Sequence, residues 1–255
     1  MKITFLGTGT SQGIPVIGCD HEVCLSDDTK DTRLRSSFMV ETENVCVVID
    51  CGPDFRQQML NVGVSKLDGI IFTHYHADHT AGLDDTRAFT QKFGVLPIYV
   101  KDDVIKDLKA RFNYIFTTKN KYLGAPELGI NQIENNPFFL RDIEITPIEV
   151  DHGKLKIFGF RFHNVAYITD ASHISDKEME KIYNLDILVI NALRKEPHPT
   201  HFGLQQALDV IEKVKPKKAY LTHISYKFGF HKEISKILPK NVFLAYDGLE
   251  VSVFS

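Results

Sequence analysis

Residues 73 to 80 read Thr-His-Tyr-His-Ala-Asp-His-Thr, directly behind the apolar run Gly-Ile-Ile-Phe. Four side chains with nitrogen or oxygen donors, His74, His76, Asp78 and His79, fall within six positions. The apolar run predicts a buried strand, GIIFTHYH, that runs into a polar cluster. Period-two alternation turns His74 and His76 the same way if the segment stays extended. Asp78 and His79 follow in a turn and can face a neighbouring point. Imidazole suits Zn, Fe, Mn or Ni, while carboxylate draws harder cations, so a mixed set fits two divalent ions held close together. The alternative is a solvated polar loop. It loses ground because three more apolar runs end in the same residue types, at Asp151-His152-Gly153, Thr169-Asp170 and Thr222-His223. Any fold for this chain must therefore gather several strand ends at one place.

Strands and helices are interspersed along both halves. KITFLG, SSFMVET, NVCVVID, IYV, IEITPIEV, KIFGFRF, VAYIT, DILVINA, KAYLTH and LEVSVF read as strands, with a turn at Glu43–Asn44. PDFRQQMLNVG, GLDDTRAFTQKFG, DDVIKDLKARF, DKEMEKIYN, LQQALDVIEKV and HKEISKIL carry helical spacing. The stretch 117–137 is the least regular and reads as a loop or a cap over the site. No linker or composition break divides residues 1–255, so one domain is expected. The opening MKITFLGTGT lacks the apolar core of a signal peptide, and no apolar run is long enough to span a bilayer. A formal net charge of −3 argues against a non-specific nucleic-acid or membrane binder. The four cysteines, at 19, 24, 46 and 51, do not form the pattern of a secreted disulfide framework. A reducing, cytoplasmic setting is the default. Cys46 and Cys51 lie in or beside an apolar strand and read as small buried hydrophobes.

On the His74-x-His76-x-Asp78-His79 motif and the later His152, Asp170 and His223, the chain resembles the metallo-β-lactamase superfamily from its GTGTSQG opening to its YDGLEV end. The resemblance implies an αββα sandwich with a two-metal site along one edge. It implies that His74, His76 and His152 hold one ion, that Asp78, His79 and His223 hold the other, and that Asp170 bridges. Asp50, followed by Cys51-Gly52, matches the family's Asp-x-Gly turn and would orient the ligand loop. The ions would be Zn, Mn or Fe.

The segment GTGTSQGIPVIGCDHEVC, with LTHIS and YDGLEV, is similar to the phosphoribosyl cyclic phosphate phosphodiesterase branch. That branch carries an additional structural zinc on a cysteine loop. The matching residues here are Cys19, His21 and Cys24, and the position matching the fourth ligand is Tyr226. His231 reads as a substitute fourth ligand, a substrate contact or an exposed helix start. His201 begins His-Phe-Gly-Leu-Gln-Gln. It resembles the histidine that phosphodiesterase branches set against the phosphate, where it can protonate the leaving oxygen. Arg35, with Arg33, could meet an anionic substrate or form a solvated rim. His163, His173 and His198 read as bland surface residues. The glycines of the opening loop let it pass close to the metal edge.

These residues predict a metal-dependent phosphodiesterase for a small cyclic or linear phosphodiester, with His201, Asp78 and Asp170 in catalytic roles and a homodimer as the family's common state. The competing readings are a lactonase or thioesterase, a transfer-RNA 3′-processing nuclease, and a cofactor-biosynthesis carrier or binding protein. No basic, glycine-rich arm is visible to favour the nuclease.

Overall fold

In the computed structural model, which describes residues 1–118 and 121–253, the apolar runs become two seven-stranded sheets. The first sheet holds β1 (Lys2–Gly7), β2 (Ser37–Glu41), β3 (Cys46–Ile49), β4 (Gly69–Ile71), β5 (Leu96–Val100) and β6 (Leu128–Gln132) in chain order. The second runs β7 (Phe138–Leu140), β8 (Ile143–His152), β9 (Leu155–Phe162), β10 (Val165–Ile168), β11 (Ile187–Asn191), β12 (Lys218–Thr222) and β13 (Val242–Leu244). The last strand, β14 (Glu250–Ser252), returns to pair antiparallel with β1 and closes the outer edge of the first sheet.

Both faces of each sheet are buried, which is why the strands read as continuous hydrophobic runs. On β10, Val165 and Tyr167 face the core between the sheets, and Ala166 and Ile168 face the outer helices. On β3, Val47 and Ile49 face inward while Val48 faces out. Phe38 stacks on Tyr167 across the inner core at 4.6 Å between ring centroids. Each such side chain is worth about 1.5–3 kcal/mol relative to exposure.

Helices α1 (Phe55–Val62), α3 (Arg87–Phe93) and α4 (Asp102–Arg111) cover the first sheet. Helices α7 (Leu204–Val214) and α8 (His231–Ile237) cover the second. Helix α7 buries Ala207, Val210, Ile211 and Val214, the i, i+3, i+4, i+7 face of a surface helix. The backbone N–H of Gly203 donates to Gln206 Oε1 at its start. The result is the expected αββα sandwich.

Several elements differ from expectation. The ladder of β4 ends at Ile71, and the ligand motif that follows is irregular until the short helix α2 (Ala77–Thr80). GLDDTRAFTQKFG splits into a 3-10 turn, Leu83–Thr86, and α3. The stretch 117–137 is not simply a loop: Leu128–Gln132 pairs parallel with β5 as an edge strand. Its pattern is mostly exposed, so hydrophobic periodicity could not announce it. Lys119 and Asn120 of that stretch lie outside the described residues. The short strands β7 and β13 carry no sequence signal beyond three residues each. No helix among the described residues is long and apolar enough to cross a membrane.

Candidate metal centre

The C-terminal ends of β3, β4, β8, β10 and β12 meet at one edge of the sandwich. Three of the turns there pass through left-handed backbone, at Asp50 (φ 65°), Asp170 (φ 60°) and His223 (φ 55°). Non-glycine residues adopt this conformation at a cost, and surrounding structure must hold them in it. Asp50 shows how. The Thr73 backbone N–H donates to its Oδ1 and the Thr73 hydroxyl to its Oδ2, both at 2.8 Å. Gly52 stands where an added Cβ would collide with the Asp78 carbonyl oxygen. Only glycine lets the Asp-x-Gly turn lie flat against the ligand loop.

All seven sequence-predicted ligands converge. Donor atoms of His74, His76 and His152 lie within 4.8 Å of one another, as do those of Asp78, Asp170 and His223, and those of His74, His79 and Asp170. Asp170 belongs to both sides. Four of the imidazoles are oriented from behind. His79 Nδ1 donates to Asp50 Oδ2 at 2.6 Å. His152 Nδ1 donates to the Thr200 carbonyl at 2.8 Å. His223 Nδ1 lies 3.1 Å from Ser36 Oγ, whose hydroxyl donates to the Gly9 carbonyl. His74 Nδ1 lies 2.9 Å from Thr73 Oγ1. These contacts leave His79, His152 and His223 presenting Nε2 to the cluster. Arg111 fastens the loop from outside, donating to the Tyr75 carbonyl and to Thr80 Oγ1.

The cluster has the chemistry of a cation site. His79 Nε2 is fully buried without a hydrogen-bond partner, although carboxylate oxygens of Asp78 and Asp170 lie 3.2 and 3.3 Å away. A buried polar atom in that position calls for an external partner. Burial pushes His74 well below the ordinary imidazole range, with neighbouring histidines adding to the effect, and it pushes His223 down to about 4. Burial works against the charge on Asp170 and Asp78. The adjacent histidines outweigh it and hold both carboxyls below the usual range. His79 is the exception. Burial disfavours its charge, yet Asp170, Asp50 and Asp78 together drive it well above the ordinary value. Neutral imidazoles beside ionised carboxylates are the donor states that a divalent cation requires. The residues fit a divalent cation.

His201, also predicted, sits beside this edge with Nε2 3.1 Å from Asp170 Oδ1. His198, expected to be a bland surface residue, is partly buried with Nδ1 3.2 Å from His201 Nδ1. The signal was its place three residues ahead in His-Pro-Thr-His. Thr10, Ser36, Thr73 and Thr200 also went unread, because a lone hydroxyl or carbonyl has no sequence signature. His173 is exposed and pairs with Asp151, in keeping with its bland reading.

Other expectations are corrected. The structure pairs Cys19 with Cys24, sulfur against sulfur, within the N-terminal loop. His21 Nδ1 accepts from the Val23 N–H, and its ring packs on Tyr226 at 5.1 Å. The loop thus reaches the position matching the fourth zinc ligand but meets a phenol ring there, a poor substitute for a thiolate or imidazole. His231 is neither exposed nor in the cluster: its Nδ1 lies 3.2 Å from the Arg33 guanidinium. Arg33 is buried and donates to Thr8 Oγ1 and the Ala245 carbonyl. Arg35 pairs with Asp54 at 2.9 Å and donates to the Ser11 carbonyl. Cys51 is buried in the outer core of the first sheet, as expected, and Cys46 packs partly buried against the same core.

Comparison with known proteins gives a consistent family setting. Residues 46–224 match the family model for a β-lactamase superfamily domain. A crystal structure of a new diphosphatase from the PhnP family superposes with a TM-score of 0.92 and 41% identity, covering 99% of this chain and 98% of that one. The octanoyltransferase of Porphyromonas gingivalis is 37% identical over 256 residues, 99% of this chain, but the chain spans only 52% of that protein. The ribonuclease Z of Listeria welshimeri is 26% identical over 97% of both chains.

Proposed function

As the chain belongs to the PhnP family of the β-lactamase superfamily, we propose that this metal-dependent hydrolase opens a small cyclic or linear phosphodiester. The observation that carries the reading is His201 Nε2 at 3.1 Å from Asp170 Oδ1, an imidazole poised at the edge of the ligand cluster. A phosphodiester leaves an alkoxide, which departs slowly unless protonated, and histidine is the side chain suited to supply that proton near neutral pH. The names diphosphatase and ribonuclease, carried by two of the relatives, both describe hydrolysis at phosphorus.

In this reading His74, His76 and His152 hold one divalent ion, Asp78, His79 and His223 the other, and Asp170 touches both. Zn, Mn and Fe all suit the donor set. When bound, such ions would lower the pKa of a water toward neutrality and offset charge on the phosphoryl oxygens. The chain's own residues do the rest. Asp50 keeps the His79 Nδ1 proton and so frees Nε2. Asp78 and Asp170 orient the attacking water by accepting its hydrogen bonds. His201 gives the Nε2 proton to the leaving oxygen as the P–O bond breaks.

The octanoyltransferase of P. gingivalis does not point to acyl transfer here. About half of that protein lies outside the match, so its name does not carry over to this chain. The net charge of −3 favours a small substrate over a large RNA.

The test is a parallel screen of purified protein, with metal content measured on the same batch. The substrates are bis-p-nitrophenyl phosphate, 5-phosphoribosyl cyclic phosphate, 2′,3′-cyclic nucleotides, linear dinucleotides, a thioester and a lactone. Turnover confined to the phosphodiesters, with about two transition ions per chain, is the expected result. Hydrolysis of the thioester or lactone alone would overturn it.

A further inference from the structure

The turn His198-Pro199-Thr200-His201 bears on two residues of the site at once. Its Thr200 carbonyl accepts the His152 Nδ1 proton at 2.8 Å. Its Thr200 backbone N–H donates to His198 Nδ1 at 3.3 Å. A nitrogen that accepts a backbone N–H carries no proton, so the Thr200 hydroxyl, 3.2 Å from His198 Nδ1, donates to it as well. His201 Nδ1 lies 3.2 Å from that acceptor and 2.9 Å from Thr200 Oγ1. Its hydrogen therefore has an acceptor waiting on the side away from Asp170. Arg194 braces the turn by donating to the Pro197 carbonyl, and Gly203 closes it where a Cβ would crowd the Glu196 carbonyl.

We infer that His198 is a positioning residue for His201: its unprotonated Nδ1 draws the Thr200 hydroxyl hydrogen, which leaves Oγ1 to accept the His201 Nδ1–H at 2.9 Å and fixes the ring so that Nε2 faces the reacting group. This rests on the proposed role of His201 as the donor of a proton to the leaving oxygen. The balance is simple. The oxygen of the attacking water bonds to phosphorus as the ester P–O bond breaks, the bonding pair stays on the leaving oxygen, which takes the Nε2 proton, and Nδ1–H remains on His201, still directed at Thr200 Oγ1. His201 then regains the Nε2 proton from water. With His198 truncated, the ring can rotate about its Cβ–Cγ bond or take the other tautomer. The proton then sits on the wrong nitrogen for part of the time.

A positioning residue for a leaving-group acid has a signature that general damage lacks. Its loss matters most where the leaving oxygen needs the proton most. The experiment uses metal-loaded full-length protein and a series of methyl aryl phosphates whose leaving group runs from 4-nitrophenol to phenol. His198→Ala should lower kcat on the phenol ester by ~100-fold. The loss should shrink steadily toward the 4-nitrophenol ester, with KM little changed and metal content equal to the parent. His198→Asn, whose side-chain oxygen can accept in place of Nδ1, should recover most of the lost rate. It also serves as the second variant if the alanine protein folds poorly. Losses equal across the series, or no loss anywhere, would overturn the inference. So would failure of His198→Asn to recover the rate. His201→Ala measured in parallel separates the two claims. If its losses do not depend on the leaving group, the acid role of His201 falls. If they do and those of His198→Ala do not, only the inference about His198 falls.

Discussion

Two buried polar clusters, each gathered from distant parts of the chain, behave in opposite ways. The first is the His and Asp cluster at the strand ends. The second joins the N-terminal loop, the Tyr246-Asp247-Gly248 turn and α8 through Arg33, Asp31, Asp247, Thr8 and His231. In the second, Arg33 donates to Thr8, Ala245 and His231. Asp247 accepts from the Thr8 N–H and hydroxyl and from the Leu34 N–H. Asp31 accepts from the Ser26 hydroxyl and the His231 N–H. These groups satisfy one another. In the first cluster His74, His79, His152 and His223 are satisfied from behind and aim a second nitrogen at a shared point, where His79 Nε2 is left without a partner. A buried cluster that closes on itself holds a fold together, and one left open toward a point holds a ligand.

The contrast breaks most sharply at Asp170. Asp170→Ala should lower kcat on bis-p-nitrophenyl phosphate by ~1,000-fold or more while circular dichroism stays that of the parent. Retained activity would end the reading of the strand-end cluster as the working site. Arg33 is the mirror case. Arg33→Met removes the buried donor to Thr8, Ala245 and His231 and should cost about 1–3 kcal/mol in urea unfolding. Protein that remains folded should keep its bound metal.

Asp50→Asn tests the support behind a ligand. It should weaken metal affinity or activity by about 10- to 100-fold, read by titration of the apo-protein with zinc. The smallest effect concerns pH. Burial and the Arg33 charge lower the His231 pKa to about 4, against an ordinary value of 6.5. The unfolded chain therefore binds this proton first. The stability His231 contributes is complete above pH 6.5 and declines as pH falls toward 4, by about 2 kcal/mol between pH 7 and pH 5. Asp247, raised by burial to about 6, runs the other way over the same window and offsets part of the loss. The readout is thus the difference between parent and His231→Gln, which should lose less stability on acidification.

The contrast between the clusters also explains what could be read in advance. All seven strand-end residues were legible because metal-ligating types stood at the ends of apolar runs, with four of them packed into six positions. The second cluster was not. Arg33, His231 and Asp247 lie more than two hundred residues apart at the extremes, and each alone resembles an ordinary surface residue. His198 was missed for a related reason. A histidine in a turn carries no periodicity, and only its 3.2 Å approach to the Thr200 hydroxyl gives it a role. Strand β6 was missed because its side chains are largely exposed and its backbone pairing with β5 is what makes it a strand.

The linear chain alone supplied the strands that carry the site and the metal-ligating residue types at their ends, while the class of fold came from its resemblance to the metallo-β-lactamase superfamily. Hydrophobic periodicity and ligand type are local properties that survive without coordinates. Only the folded molecule decided which nitrogen of His74, His152 and His223 faces inward, that Ser36, Thr73 and Thr200 set those tautomers, and that Cys19 meets Cys24. Hydrogen-bond direction and sulfur pairing depend on where distant segments come to rest. That placement follows from packing two sheets and their helices together, which no local pattern encodes.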